Sequence, residues 1–498
     1  MPMPSVYRIV ALLPILTLFL AVRAGAAEVS GTLLLDPTRL AGGDDLGRVL
    51  LYTPDPLEPG SSVSHWDTSA SPDLLMEPFA SPSLPFGEVD LTLQQMLDIG
   101  WPSGTSTITI RVKDGPNSGF NDSTEVAAAP ANPGGTTLGG QRLAALEWVA
   151  GVWAALLGSS VEINVDARFV DTYECDSGGG VLAAAGAAFL FFDFPNAPRQ
   201  ATWYHGALAE SLAGENLSNT EDGFPPGAGD LAIFFNSEID EECLGPGTRY
   251  YYGLDGNTPR GQISFAQVAL HEIGHGLGFA NFSDDATGAL FGAPNQGIPR
   301  MPDIFNAFSY DNDQMLHWDV MSNEGRASSA INPGGVVWDG PQTTGAAGDI
   351  LDASPRLVIN HPGRFAGSYA AMSAAFGPPL TEAGLTGDFA LVSDGTGDPT
   401  LGCDPLVNAD EIDGKIAVID RGTCFFTEKV KNAQNAGAIA AVIVNNVPEG
   451  LPPMGGQDSS VTIQSLGISL ADGDLIKEVL ELPQPPPYRA GGRAKPGG

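Results

Sequence analysis

His271-Glu272-Ile273-Gly274-His275 sets two imidazoles four residues apart, with a carboxylate beside the first. On an α-helix, positions i and i+4 share a face, so both rings can reach one metal ion. Glu272 then stands where it can take a proton from a metal-bound water, which is the chemistry of hydrolysis. The residues before the pair read as helical. Ser264 with Gln267 three residues on forms a capping-box pattern, and Phe265, Val268, Leu270 and Ile273 supply apolar contacts. Gly276 and Gly278 weaken the helix and let the chain turn away. The plain alternative is a buried helix whose two histidines are merely satisfied polar groups. The cap, the glycine-rich exit and an export signal together favour a metal site. Two histidines with a glutamate base suit zinc best, although sequence does not exclude manganese or iron.

A hydrolytic zinc needs three protein ligands and one open position. The pattern His271, Glu272, His275, Gly278 matches H-E-x-x-H-x-x-G and resembles the zinc-binding helix of metzincin metallopeptidases. The common metzincin motif has a third histidine three residues after that glycine. Here the position is Asn281, and an amide is a poor zinc ligand, so the third ligand comes from elsewhere. His361 precedes Pro362 near the start of a C-terminal domain and reads as remote, while His205, after Trp203-Tyr204, reads as a surface or packing residue. Two His-Trp-Asp triplets remain, at 65–67 and 317–319, each with a downstream methionine, Met76 or Met321; Asp303 is a carboxylate alternative. Ser64-His65-Trp66 followed by Leu75-Met76-Glu77-Pro78 resembles the third-ligand and Met-turn segment of leishmanolysin-like metzincins. That resemblance implies His65 as third ligand with Met76 beneath the site. The stretch from Asp90 to Ile99-Gly100-Trp101 resembles the terminal segment of bacterial relatives that carry a protease-associated (PA) domain. In those relatives it follows the PA domain. Here it precedes everything else, so the chain reads as circularly permuted.

The elements that would position these residues follow a helix–strand–helix order. Asp90 caps a short helix that stops at Gly100; Thr107 to Lys113 alternates as a strand. A helix over about 138–157 and a strand with Val161, Ile163, Val165, Ala167 and Phe169 on one face come next. Residues 178–192 are small and apolar, strand or buried turn, and Leu231 to Phe235 reads as an exposed strand that could align substrate. Residues 340–354 read as a polar, glycine-rich boundary. Beyond it, strand 415–420, helix 427–436 and strand 438–444 form a β-α-β crossover. The run from Gly414 through Arg421-Gly422-Thr423-Cys424-Phe425 to Ala438 closely resembles a PA domain, which implies an accessory or substrate-access role.

The chain has 498 residues and a formal net charge of −36 from 23 Lys plus Arg against 59 Asp plus Glu. Such acidity excludes nucleic acid or an anionic membrane as a partner and suits an exported protein. No EF-hand loop is present. Arg8, the apolar run Ile9 to Val22 and Ala24-Gly25-Ala26 read as a cleavable signal rather than a membrane anchor. Four cysteines form two sequence-local pairs, so Cys175–Cys243 with Cys403–Cys424 is the natural choice among three connectivities. The expected organisation is a signal peptide (1–26), an N-terminal segment with the third ligand and Met-turn (27–105), a metallopeptidase body (106–354), a PA domain (355–482) and a disordered tail (483–498). The expected fold is an α+β metzincin-like zinc peptidase domain, a twisted sheet over the H-E-x-x-H helix, plus a C-terminal α/β PA domain. The expected function is a secreted zinc endopeptidase, extracellular or periplasmic, acting on protein or peptide substrates. The competing reading is an inactive secreted protein that binds partners through its PA domain.

Overall fold

The computed structural model describes residues 29–481, except Pro82, Glu174, Gly178, 219–228 and Glu449. The signal and tail expected at 1–26 and 483–498 lie outside the described residues. Two compact units divide the rest: one holds 34–356 with 380–384, the other 29–33, 357–379 and 385–481. Among the described residues no helix is long and apolar enough to cross a membrane.

Strand β1 (Ser30–Leu40) opens the described chain. The larger unit then runs through strand β2 (Val49–Leu50), helix α1 (Leu91–Ile99), strand β3 (Ile108–Val112), helix α2 (Leu138–Ala154) and strand β4 (Ile163–Val170). Strand β5 (Ala183–Ala187), strand β6 (Leu231–Asn236) and helix α3 (Phe265–Leu277) follow. A sheet in the order β3-β4-β6-β5 is parallel except for its last strand, which runs antiparallel to β6. Alternate burial along β4 sends Ile163, Val165, Ala167 and Phe169 into the core, as its period-2 pattern requires. There Phe169, Phe235 and Phe265 pack together, joining β4, β6 and α3. Strand β6 therefore lies inside the sheet. The expectation of Leu231 to Phe235 as an exposed substrate-aligning strand is overturned, because both its edges are already paired; β5 holds the outer position.

Strands β7 (Ser309–Asp311) and β8 (Val336–Trp338) build a second sheet onto which β2 pairs, Val337 opposite Leu50. The polar, glycine-rich stretch read as a boundary contains helix α4 (Pro341–Ile350). Asp98 explains it: its carboxylate accepts from the Gln342 and Thr343 amides, satisfying donors of the first turn.

The smaller unit is a closed barrel. Strands β9 (Ala353–His361), β10 (Gly367–Ser373), β11 (Leu385–Leu391), β12 (Ile416–Asp420), β13 (Ala440–Val444) and β14 (Gln464–Ile468) join β1 in the order β1-β9-β10-β14-β13-β12-β11. Helix α5 (Phe426–Asn435) makes the expected crossover between parallel β12 and β13. The barrel takes Ser30–Leu33 from the start of the chain, pairing them antiparallel with Leu385–Asp388, so it is not built from C-terminal residues alone.

Candidate metal centre

Helix α3 begins where expected. The Ser264 hydroxyl accepts from the Gln267 amide at 3.3 Å, but the Gln267 side chain donates to the Leu84 carbonyl, so the capping box is only half formed. Two buried tryptophans grip the helix by its carbonyls: Trp153 Nε1 donates to Leu270 at 3.0 Å and Trp101 Nε1 to Leu277 at 2.9 Å. Gly278, with φ +146°, turns the chain away, and a Cβ there would strike Ile99.

The fold brings His65, His271 and His275 together. Their candidate ligand nitrogens all lie within 4.8 Å of one another, and His275 Nε2 stands 3.0 Å from His271 Nε2 and 3.2 Å from His65 Nε2. Each ring is fixed from behind: the Nδ1 atoms of His65, His271 and His275 lie 2.7 Å from the carbonyls of Ser61, Leu75 and Phe279. A carbonyl only accepts, so all three Nδ1 atoms carry the proton. In the neutral rings every Nε2 then presents a lone pair to the same point. Three convergent lone pairs repel; a cation between them removes the conflict. Burial keeps the rings neutral, lowering His271 to about 4 and His275 to about 3. Burial likewise holds His65 well below its ordinary value, with His275 and His271 adding to the effect. Tetrahedral zinc at about 2.0–2.1 Å from nitrogen spaces its ligands by about 3.3 Å, close to the separations here. The residues fit a zinc ion.

Glu272 is 7% exposed, and its Oε2 has no partner among the described residues. Burial alone pushes it up to about 8, and a neighbouring cation would oppose that shift. Met76 is fully buried against α3, where its Sδ would lie 2.8 Å from a Cβ at Gly274, between the two helical histidines. The Met76 turn is clamped on both sides. Asp90, which caps α1, accepts from the Leu75 amide, while the Leu75 carbonyl receives His271 Nδ1 and the Met76 carbonyl receives the Trp66 amide.

The other candidates lie elsewhere. Asp303 accepts from the Phe282 amide at 2.7 Å and the Asn306 amide at 2.8 Å, holding the loop after α3. His317 Nε2 pairs with Asp339 at 2.9 Å. His205 is fully buried, the packing residue of the two readings and not a surface one, its ring 4.6 Å from that of Phe282 and both its nitrogens without a partner among the described residues. Disulfides join Cys175 to Cys243 and Cys403 to Cys424, the pairing expected. Sequence reasoning missed the three carbonyls that set the histidine tautomers, because a backbone group has no residue-type signal.

Residues 385–476 match the family model described as a PA domain. The chain is 40% identical over 96 residues to ER degradation-enhancing alpha-mannosidase-like protein 3 of Homo sapiens, covering 18% of this chain and 10% of that protein. It is 35% identical over 104 residues to leucine aminopeptidase 2 of Arthroderma otae, covering 21% of this chain and 19% of that protein. Among solved structures, a zinc aminopeptidase from Bacillus subtilis aligns at 30% identity and a TM-score of 0.19, covering 23% of this chain and 26% of that one. The chain thus spans between a tenth and about a quarter of these proteins, and a score that low says nothing of the remaining fold.

Proposed function

We propose that this chain is an exported zinc endopeptidase of metzincin type, similar to the leishmanolysin-like members, acting on protein or peptide substrates. His65, His271 and His275 hold the metal, Glu272 is the general base and Met76 lies beneath. The observation that carries this reading is the convergence of three Nε2 lone pairs, each fixed by a carbonyl behind its ring, beside a buried carboxylate with a free oxygen. Zinc held there would polarise a scissile carbonyl and acidify a bound water. Glu272, ionised beside the cation, would accept the water's proton and pass it to the departing amine. Strand β5, at the outer position of its sheet, offers backbone groups for an extended substrate, and its sequence Ala-Ala-Ala-Gly-Ala keeps the approach free of bulk. The peptidases among the relatives support a PA domain in a peptidase, but their aminopeptidase specificity is not carried over, since the match spans only a fifth of leucine aminopeptidase 2.

The test is digestion of casein, and of an internally quenched peptide with a blocked N-terminus, by purified protein. A zinc chelator should stop both reactions and added zinc restore them. Glu272→Gln should keep its zinc while hydrolysis falls by at least ~10²–10⁴-fold. Undiminished hydrolysis in that variant would sink the proposal. Cleavage of free N-termini only would redirect it to an aminopeptidase, and zinc bound without cleavage would favour the PA-mediated binding protein.

A further inference from the structure

His65 reaches the site from a part of the chain far from α3, so something must hold its segment against the helix. The turn before it is tight. Val63, a β-branched residue with no exposure, has φ +65°, and the Ser64 amide folds back onto the Ser62 carbonyl at 2.8 Å. A β-branched side chain in the left-handed region is strained and persists only where surrounding contacts over-determine it. One such contact comes from the loop after α3. The Asn281 backbone N–H and its side-chain Nδ2 both donate to Ser64 Oγ, at 3.1 and 3.2 Å, across 217 residues of sequence.

Asn281 is itself held rigid. Its Oδ1 accepts from the Ser283 amide at 2.9 Å, its Nδ2 lies 3.3 Å from an Asp285 carboxylate oxygen, and Asp303 grips the adjoining Phe282 amide. Two residues earlier, Phe279 supplies the carbonyl that orients His275. A single short loop thus orients one histidine through its backbone and grips the neighbour of another.

We infer that Asn281 is a positioning residue for the metal centre: through its paired donation to Ser64 it fixes the strained turn that aims His65 at His271 and His275. The inference rests on the metal-centre reading above and assigns Asn281 a role that is not ligation. Outer contacts of this kind are worth about 10–100-fold in metal affinity.

The experiment measures zinc dissociation constants by competition with a chromogenic chelator in the full-length protein. Ser64→Ala, which removes both hydrogen bonds, should weaken zinc binding by about 10–100-fold, and Asn281→Ala, which keeps the backbone one, should weaken it by less. The double variant should lose no more than Ser64→Ala alone, because that variant already removes both hydrogen bonds. Ser64→Thr, which keeps the hydroxyl, should retain the affinity. In the cobalt-substituted Ser64→Ala protein, the visible ligand-field bands should change intensity as the third imidazole is displaced. Wild-type affinity in both single variants overturns the proposal, as do losses that multiply in the double variant. So does lowered stability of the metal-free variants with zinc affinity intact, the signature of a merely structural contact. A wild-type protein that binds zinc but cleaves no peptide overturns the peptidase reading alone; one that binds no zinc overturns both.

Discussion

His65 and His317 each begin a His-Trp-Asp triplet; the residues that follow His65 favour it in the sequence, and the surroundings of the two rings separate them in the structure. His65 is 5% exposed with its Nε2 turned to the other two imidazoles, whereas His317 spends its Nε2 on Asp339. His65→Ala should therefore abolish tight zinc binding, and His317→Ala should leave it nearly intact, as metal analysis after dialysis would read; the reverse result would move the third ligand. His205 makes a separate prediction. Burial lowers it from 6.5 to about 3. The unfolded chain takes up a proton below about pH 6.5 that the folded chain refuses until about pH 3, so this contribution to stability is full above that window and is lost as pH falls through it. Its slope is at most about 1.4 kcal/mol per pH unit. Urea midpoints of metal-free protein should fall more steeply between pH 7 and pH 5 in the wild type than in His205→Phe. Equal slopes would mean that His205 titrates normally.

Helix α3 is held by contacts of unequal weight. Its N-cap is a single hydroxyl, Ser264, since Gln267 is committed to Leu84 and cannot complete the box. Ser264→Ala should cost about 1 kcal/mol, as N-cap losses do, visible as a lowered denaturant midpoint with unchanged m-value. Zinc affinity should change little, because Trp153 and Trp101 still anchor the helix carbonyls beside and beyond the histidines. A cost near zero would mean that packing of Phe265 alone sets the start of the helix. Strand β5 owes its place to composition of another kind. Small residues let it lie against both β6 and α3, yet Ala-Ala-Ala-Gly-Ala carries none of the β-branched or aromatic signal by which strands are read.

Across the whole molecule, charge is the dominant non-specific force. With a formal net charge of −36, acidic groups repel one another in the compact state more than in the expanded chain. Salt screens that repulsion, the Debye length falling from about 30 Å at 0.01 M to about 3 Å at 1 M. The unfolding temperature should therefore rise with sodium chloride over that range. A flat or falling temperature would show that the ion pairs, such as Arg142 with Asp240, outweigh the repulsion.

The local features were legible because local physics makes them. The histidine spacing on α3, the Asp90 cap and Gly100 stop of α1, the alternation along β4 and the β-α-β crossover all express short-range periodicity and capping. The PA-like run was readable for the same reason, as one continuous stretch. What tertiary structure decided is whatever joins distant segments. It placed His65 rather than His317 beside α3, buried β6 and left β5 outermost, and took a barrel strand from residues 30–33. It also turned three backbone carbonyls and the Asn281–Ser64 link toward the same centre. Such pairings depend on how much apolar surface each alternative buries and which polar groups it leaves without partners. Those sums run over the whole chain, so no window of sequence contains them.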